Sequence, residues 1–324
     1  MLKSMSQNNK AAWLLLKVAL MLLSFYFIFF HIKQEDVLKH LLILKKEYLV
    51  DADTRIYILS VVGLMFLNWI CEAFKWQYLT SFYFRQSLPV ALRAVLTGLA
   101  VSIFTPNRSG DFAGRIMHLP SGLRVEGAVF SFVGSITQVL ITITAGFISL
   151  LFLIEDLFDF SRSSVIVGAL FVFFIIACLH YFLFNFNKYW HVIADNKWLR
   201  KLAARVVDVG ELTRGFIFKI YILSLLRYLI FSFQFCLLLN TFDVHLSFSL
   251  ILNLVMISFL FITVIPSFAL SEIGIRGSIC IFFFSKFTSE TSGVLLASTL
   301  LWLINIAAPA VVGAFGMLYF KRAK

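Results

Sequence analysis

The chain has 324 residues, of which 60% are hydrophobic and 14% charged, whereas a soluble domain carries about 25% charged residues. This composition, with 38 Phe and a mean hydropathy of +0.92, excludes an ordinary water-soluble protein. The net charge of +11 does not indicate nucleic-acid binding, because no basic segment is free of apolar neighbours. Lys and Arg instead accumulate on cytoplasmic loops of membrane proteins. We predict one all-α, polytopic membrane domain over residues 1–324.

The apolar segments predict about eight transmembrane helices. Residues 11–30 continue into HIKQED without a small-residue cleavage site, which favours a retained helix over a signal peptide. The later segments are about long enough to cross ~30 Å of hydrocarbon, although 88–105 is marginal. They lie at 56–74, 88–105, 126–154, 164–185, 215–240, 248–265 and 291–320. Amphipathic patterns predict interfacial helices at 33–49 and 195–212.

Loop charges predict the orientation in the cytoplasmic (inner) membrane. The basic linker 186–214 and the basic tail favour cytoplasmic termini, and the acidic loop 155–163 favours the outside. Segment 75–93, with Lys75, Arg85 and Arg93, also has a cytoplasmic charge pattern. Residues 88–125 must then leave and return as a re-entrant hairpin. Residues 266–286 must cross back as a glycine-interrupted, broken helix.

Two polar interruptions share one order of residue types. They are 105–115, TPNRSGDFAGR, and 265–277, IPSFALSEIGIRG; in each, a Pro is followed by an acidic residue, a Gly and an Arg. Proline ends helices and glycine permits close backbone approach. Opened backbone at membrane depth must be buried in protein or line a water-filled cavity. Matched segments of this kind are typical of a transporter's central site and of an inverted repeat. The alternative is two ordinary surface loops.

Arg227 lies deep in an apolar segment, where a charge costs ~2.5–3.5 kcal/mol and should face the protein interior. We expect Asp111 or Glu272 to be its partner. Several other intramembrane polar residues are expected to form interhelical hydrogen bonds, namely Asn68, Glu72, Gln138, Gln234, Asn253 and Asn305. The candidate substrate-binding residues are Arg108, Gly110, Asp111, Arg115, Arg227, Glu272, Gly274 and Arg276.

These motifs resemble the transmembrane region of lysylphosphatidylglycerol synthases and their stand-alone, flippase-like relatives. The resemblance spans nearly the whole chain and is carried by Pro106 through Arg115, by Pro266 through Arg276, and by Glu72-Ala-Phe-Lys-Trp76. It implies a membrane domain of about eight helices that moves or accommodates lipids. In full-length synthases a soluble aminoacyltransferase domain follows, and we expect this chain, which ends at Lys324, to lack it.

The second motif departs from the family pattern. Gly277 stands where an acidic residue usually follows the Gly-x-Arg, and Glu272 lies upstream. The first motif carries Asp111 where the family often has Glu. The family's second acidic position therefore has no direct counterpart after Arg276 in this sequence.

The expected function is binding or translocation of an anionic or polyprenyl-type lipid. Arg108, Arg115 and Arg276 would contact the headgroup, with Asp111 and Glu272 balancing the charge. One alternative is a membrane enzyme acting on a lipid-linked phosphate, with Asp111 and Glu272 as a carboxylate pair. Another is a non-transporting scaffold for a separate lipid-modifying enzyme. The expected partners are membrane lipids and a homo-oligomer or such an enzyme.

The sequence predicts no catalytic residue, metal or cofactor. The four Cys form no CxxC and the six His form no HExxH. The DxD at 51–53 and the HxxxD at 191–195 lie away from both interruptions. A nucleotide-binding GxxxxGK[ST] pattern is also lacking, so any transport is expected to depend on a gradient, a partner or the lipid distribution.

Overall fold

The computed structural model describes residues 52–103, 105, 108–158, 162–194, 212–265 and 269–318. Within these ranges the regular elements are all helical, as expected where lipid cannot satisfy backbone polar groups. The helices are α1 (Ala52–Thr80), α2 (Leu88–Ser102), α3 (Gly110–Ile116), α4 (Arg124–Leu157), α5 (Arg162–Phe184), α6 (Phe186–Ala194), α7 (Arg214–Thr241), α8 (Phe248–Val264), α9 (Ala269–Phe284), α10 (Thr291–Trp302) and α11 (Ala308–Leu318). A 3₁₀ turn (Ser121–Leu123) precedes α4, and a π-helical turn (Leu303–Ala307) joins α10 to α11.

The prediction of an all-α membrane fold is confirmed. Five helical stretches of the described chain are long and apolar enough to cross a membrane: Thr54–Thr80, Ser121–Leu157, Ser163–Phe184, Arg214–Thr241 and Thr291–Met317. Leu88–Ser102 and Phe248–Val264 are shorter apolar helices, at the positions predicted. The predicted helices at 11–30 and 33–49 lie outside the described residues, as does nearly all of 195–212.

Helices α1 and α7 pack side by side and run antiparallel. Gln234 Nε2 donates to the Val61 carbonyl at 2.8 Å, and the Tyr78 and Phe216 rings stack with centroids 4.6 Å apart. The contacts therefore move towards the start of α7 as they move towards the end of α1. This pairing places the middle of α1, around Glu72, against the middle of α7.

Helices α2 and α3 form a hairpin held by glycines. A Cβ atom added to Gly114 would lie 2.5 Å from Gly98 Cα, and one added to Gly110 would lie 2.8 Å from the Val101 carbonyl oxygen. The two helices therefore run antiparallel in backbone contact. At 1.5 Å per residue, the seven residues of α3 span about 10 Å, too short to cross ~30 Å of hydrocarbon. This geometry is that of the hairpin predicted for 88–125.

The second interruption leads into a longer helix. Gly274 and Gly277 both lie inside the continuous 16-residue helix α9, so the prediction that glycines break this segment is wrong at these two positions. Helical hydrogen bonding tolerates an isolated glycine at a modest cost of about 1 kcal/mol. Residues 266–268 lie outside the described ranges. Gly277 faces Leu295 of α10, which packs α9 against the C-terminal helices.

Candidate functional site: two ion clusters at a central cavity

A buried carboxylate on α1 holds together charges from three helices. Glu72, whose side chain is 3% exposed, accepts from Arg115 Nη1 at 2.6 Å, from Lys75 Nζ at 2.8 Å and from Arg227 Nη1. Arg115 Nη2 also donates to Asp111 Oδ2 at 2.7 Å. We name this set the Glu72 cluster: Glu72, Lys75, Asp111, Arg115 and Arg227. It links α1 to the α2–α3 hairpin and to α7.

Two further hydrogen bonds extend the Glu72 cluster. Arg227 Nε donates to Asn68 Oδ1 at 2.9 Å, and Lys75 Nζ lies 3.4 Å from Ser224 Oγ. Thr137 of α4 bonds to the same serine at 3.1 Å. Buried charges require such pairing, because an unpaired charge in the interior is strongly destabilising.

A second cluster joins the two polar interruptions. Glu272 Oε1 accepts from Arg108 Nη2 at 2.5 Å and from Arg276 Nη2 at 2.8 Å. We name these three residues the Glu272 cluster. Arg108 has a φ of 57°, a left-handed conformation that non-glycine residues adopt rarely and at a cost of about 1–3 kcal/mol. The backbone is therefore held in an unfavourable conformation at the residue that reaches across to α9.

The clusters meet at a cavity of about 200 Å³, which we name the central cavity. Arg108, Arg227 and Arg276 all line it, and no carboxylate is among the described residues that do so. Apolar side chains, including Phe231, Phe259 and Ile262, form another part of its wall. The cavity therefore combines a cationic face with an apolar face.

The two clusters carry more positive than negative charge. They hold five cationic side chains and three carboxylates, which leaves a surplus of two positive formal charges among the described residues. A surplus charge at membrane depth is costly unless an anion or water compensates it. The geometry therefore suits a bound anion at the central cavity.

A larger lateral groove of about 740 Å³ lies between α1 and α7. Phe74, Tyr78 and Phe218 line it together with the basic residues Arg85 and Lys219. On α1 the Glu72 cluster lies between Trp69, which lines the central cavity, and the groove residues. On α7 the same order holds, since Ser224 and Arg227 follow the groove residue Leu223. The cluster therefore stands between the two cavities.

The predicted charged residues lie in one region of the protein, but only some of them line the central cavity. Arg108, Arg227 and Arg276 line the central cavity and Glu272 contacts two of them, whereas Asp111 and Arg115 belong to the Glu72 cluster and do not line it. The two predicted glycines also differ. Gly110 packs against the backbone of α2, and Gly274 is exposed with no atom within 4 Å of an added Cβ.

The predicted partner of Arg227 is wrong. Its partner is Glu72, because the antiparallel α1–α7 pairing brings these two residues together. Lys75, whose charge contributed to the predicted cytoplasmic side of 75–93, lies inside α1, which continues to Thr80, and its side chain is buried against Glu72. The pairing of Glu72 with Lys75 could have been predicted from their spacing of three residues, which places both side chains on one helix face.

The polar residues that were predicted to join helices divide into two groups. Asn68, Glu72 and Gln234 join α1 to α7, as predicted. Asn253 and Asn305 instead donate to carbonyls of their own helices, at Ser249 and Leu301, so the interhelical prediction for them is wrong. Gln138 and Asn305 both line the central cavity.

No group of three or more His, Cys, Asp or Glu side chains suited to a metal ion occurs in the part of the chain that the structure describes. Asp111 and Glu272 do not form a carboxylate pair of their own, since each is paired with arginine. The side chains of the DxD and HxxxD patterns lie outside the described ones.

The fold and the charged cavity define an α-helical integral membrane protein with a buried, arginine-rich site. A family model described as the lysylphosphatidylglycerol synthase TM region matches residues 14–316, nearly the whole chain. The chain belongs to this family of membrane proteins involved in lipid handling, and the resemblance found in the motifs is thereby confirmed. Comparison with curated proteins and with solved structures gave no match.

Proposed function

We propose that this protein binds an anionic phospholipid by its headgroup in the central cavity and moves it across the cytoplasmic membrane. The observation that carries the proposal is the set of three arginines, Arg108, Arg227 and Arg276, at a cavity lined by no described carboxylate. Arginine is suited to phosphate because its planar fork donates two parallel hydrogen bonds. The surplus positive charge of the two clusters supplies the electrostatic complement.

A lipid fits this cavity better than a soluble anion. The apolar wall formed by Phe231, Phe259 and Ile262 suits the glycerol and first acyl carbons of a phospholipid. At about 200 Å³ the cavity is smaller than the ~300–1,000 Å³ of pockets that enclose a drug-sized ligand. It therefore suits a headgroup whose acyl chains remain outside among the lipid tails.

The lateral groove supports movement rather than binding alone. It has aromatic walls and two basic residues, Arg85 and Lys219, so it offers an amphipathic surface of the same kind. A headgroup passing between the groove and the central cavity must pass the Glu72 cluster. We propose that rearrangement of this cluster controls the passage, that both termini are cytoplasmic, and that the protein is not an enzyme.

The experiment is a binding and transport comparison of arginine variants in reconstituted protein. We expect Arg108→Gln and Arg276→Gln each to weaken phosphatidylglycerol binding about tenfold, equivalent to about 1.4 kcal/mol, because each removes a charged donor while keeping a polar side chain. Transport of fluorescent phosphatidylglycerol across phosphatidylcholine vesicles should slow in parallel. The matched control is Arg93→Gln, which replaces an exposed arginine of α2 and should change neither the binding nor the transport of phosphatidylglycerol.

Two outcomes would overturn the proposal. One is a double variant, Arg108→Gln with Arg276→Gln, that binds and transports phosphatidylglycerol like the unchanged protein. The other is displacement of the lipid by water-soluble glycerol phosphate at equal concentration, which would indicate a soluble anion as the ligand. Failure of glycerol phosphate to compete supports the lipid, because the apolar wall then contributes to affinity.

A further inference from the structure

The described helices fall into two units of the same order. The first unit is α1 to α4 and the second is α7 to α11; in each, a long helix is followed by a shorter apolar helix and then by a polar interruption. The last helix of each unit packs against the second helix of the other, so α4 lies on α8 and α11 lies on α2. A two-fold axis produces reciprocal contacts of this kind. Because α1 and α7 run antiparallel, the two units have opposite orientations.

Two glycines make the reciprocal contacts alike in detail. A Cβ atom added to Gly146 of α4 would clash with the Met256 carbonyl of α8, and one added to Gly313 of α11 would clash with the Leu96 carbonyl of α2. Met256 follows Leu96 by 160 residues, which is also the interval between the prolines of the two polar interruptions. The two units therefore form an inverted repeat, the arrangement in which transporters expose a central site to the two membrane faces in turn.

The two ends of the α1–α7 pair differ, although the repeat relates them. Phe74 lines the lateral groove and is 45% exposed, whereas Gln234, which lies 160 residues later on α7, is 0% exposed. The same contrast separates Ser81, which is exposed in the groove, from Thr241, which is buried at the end of α7. The opening between α1 and α7 is therefore present at one end of the pair and closed at the other.

Gln234 closes the second end by bridging the two helices. Its Nε2 donates to the Val61 carbonyl at 2.8 Å, and its Oε1 is buried with no hydrogen-bond partner among the described residues. On α1 the central-cavity residues Asn68 and Trp69 lie between Val61 and the groove residue Phe74. The stretch from Val61 to Phe74 is about 20 Å of helix. The bridge and the groove therefore lie on opposite sides of the central cavity.

We propose that Gln234 is a gate residue, and that the protein alternates between the arrangement described and its inverse, in which the bridge to Val61 is broken and the groove is closed. A headgroup that enters the central cavity from the groove then leaves past Gln234 towards the opposite face of the membrane. The unsatisfied Oε1 favours this exchange, because a buried acceptor without a partner destabilises the closed end. This inference rests on the proposed transport and adds its exit route and the residue that closes it.

Two matched cysteine reporters test the alternation. Ser81→Cys places a thiol in the groove, Thr241→Cys places one at the equivalent position of the closed end, and both changes are small. The purified full chain in phosphatidylcholine nanodiscs is labelled with a water-soluble maleimide, and mass spectrometry resolves each cysteine. We expect the Ser81→Cys thiol to react about tenfold faster than the Thr241→Cys thiol, as for an inverse arrangement populated at about one-tenth. Equal rates overturn the inference, and this comparison leaves Gln234 unchanged.

Removal of the bridge tests the gate residue. Gln234→Leu keeps the size of the side chain but cannot donate to Val61. We expect labelling of Thr241→Cys to rise about fivefold and labelling of Ser81→Cys to fall to about half, because a shift to the inverse arrangement closes the groove. Gln234→Asn, shorter by one methylene, should act in the same direction. Asn253→Leu is the matched control and should change neither rate, since Asn253 donates to a carbonyl of its own helix.

The reciprocal change distinguishes alternation from local loosening. A rise at Thr241→Cys without a fall at Ser81→Cys overturns the inference, as does no change at either position. The failure of this inference is distinguishable from the failure of the proposed function, because labelling needs no phosphatidylglycerol. If transport of phosphatidylglycerol depends on Arg276 but labelling does not change reciprocally, only the gate is wrong. If labelling changes reciprocally but phosphatidylglycerol is not transported, the gate stands and the proposed cargo is wrong.

Discussion

The two polar interruptions have the same order of residue types but different packing. In the first, the seven-residue helix α3 lies in backbone contact with α2, and Asp111 and Arg115 point into the Glu72 cluster. In the second, the longer helix α9 presents Glu272 and Arg276 beside the central cavity, and Gly274 faces open space. Arg108 connects the two regions through Glu272.

This difference separates a structural role from a binding role. The Glu72 cluster is nearly closed, since the Glu72 and Lys75 side chains are each 3% exposed, and its carboxylates offset two of its three cations. The Glu272 cluster is more open, with the Arg108 side chain 32% exposed and two arginines sharing one carboxylate. We infer that the Glu72 cluster, with Asp111 and Arg115 of the first interruption, mainly fixes the helices, and that the Glu272 cluster, with Arg108 of the first interruption, mainly meets the ligand.

The largest effect is expected from Glu72→Gln. This change leaves Lys75, Arg115 and Arg227 around a neutral amide, and breaking a buried ion pair typically costs 3–5 kcal/mol. We expect a large fall in the thermal unfolding midpoint of the purified protein. Glu155→Gln, at the exposed end of α4, is the control and should melt like the unchanged protein. An unaltered midpoint in Glu72→Gln would show that the cluster does not stabilise the fold.

An intermediate effect is expected from Gly114→Ala, because its Cβ would lie 2.5 Å from Gly98 Cα, where neither backbone can yield easily. Overpacking of this kind costs about 1–3 kcal/mol. Gly274→Ala is the equivalent change in the second interruption and should stabilise the protein by up to about 1 kcal/mol, because its Cβ meets no atom and alanine is the better helix former. Denaturant unfolding monitored by circular dichroism measures both. Similar losses in the two variants would contradict the contrast between the interruptions.

A smaller loss of stability than in Glu72→Gln, with a gain in binding, is expected from Glu272→Gln, because its partner Arg108 is 32% exposed. This change removes the carboxylate that Arg108 and Arg276 share, so both guanidinium groups become available to a phosphate. We expect phosphatidylglycerol to bind about tenfold more tightly, about 1.4 kcal/mol, with a stronger dependence on salt. Lipid titrations at two salt concentrations measure this. Weaker binding would instead show that Glu272 positions the arginines for the ligand.

The sequence by itself determined the membrane fold and the approximate positions of the spans. Apolar segments of sufficient length must form helices in lipid, so composition and spacing were enough for α1, α4, α5, α7 and the C-terminal helices. The Pro, Gly and charged residues at 105–115 and 265–277 marked the polar region for a similar reason: charges at membrane depth need a protein interior or a cavity.

Only the tertiary structure decided which of these charges meet. Neither apolar periodicity nor residue order records the register of α1 against α7, and that register pairs Arg227 with Glu72 rather than with Asp111 or Glu272. The same register buries Lys75, whose charge the sequence used only as an indicator of the cytoplasmic side. Hydrophobic patterning specifies which face of a helix is buried, whereas ion pairs between helices depend on rotation and translation set by packing across the whole bundle.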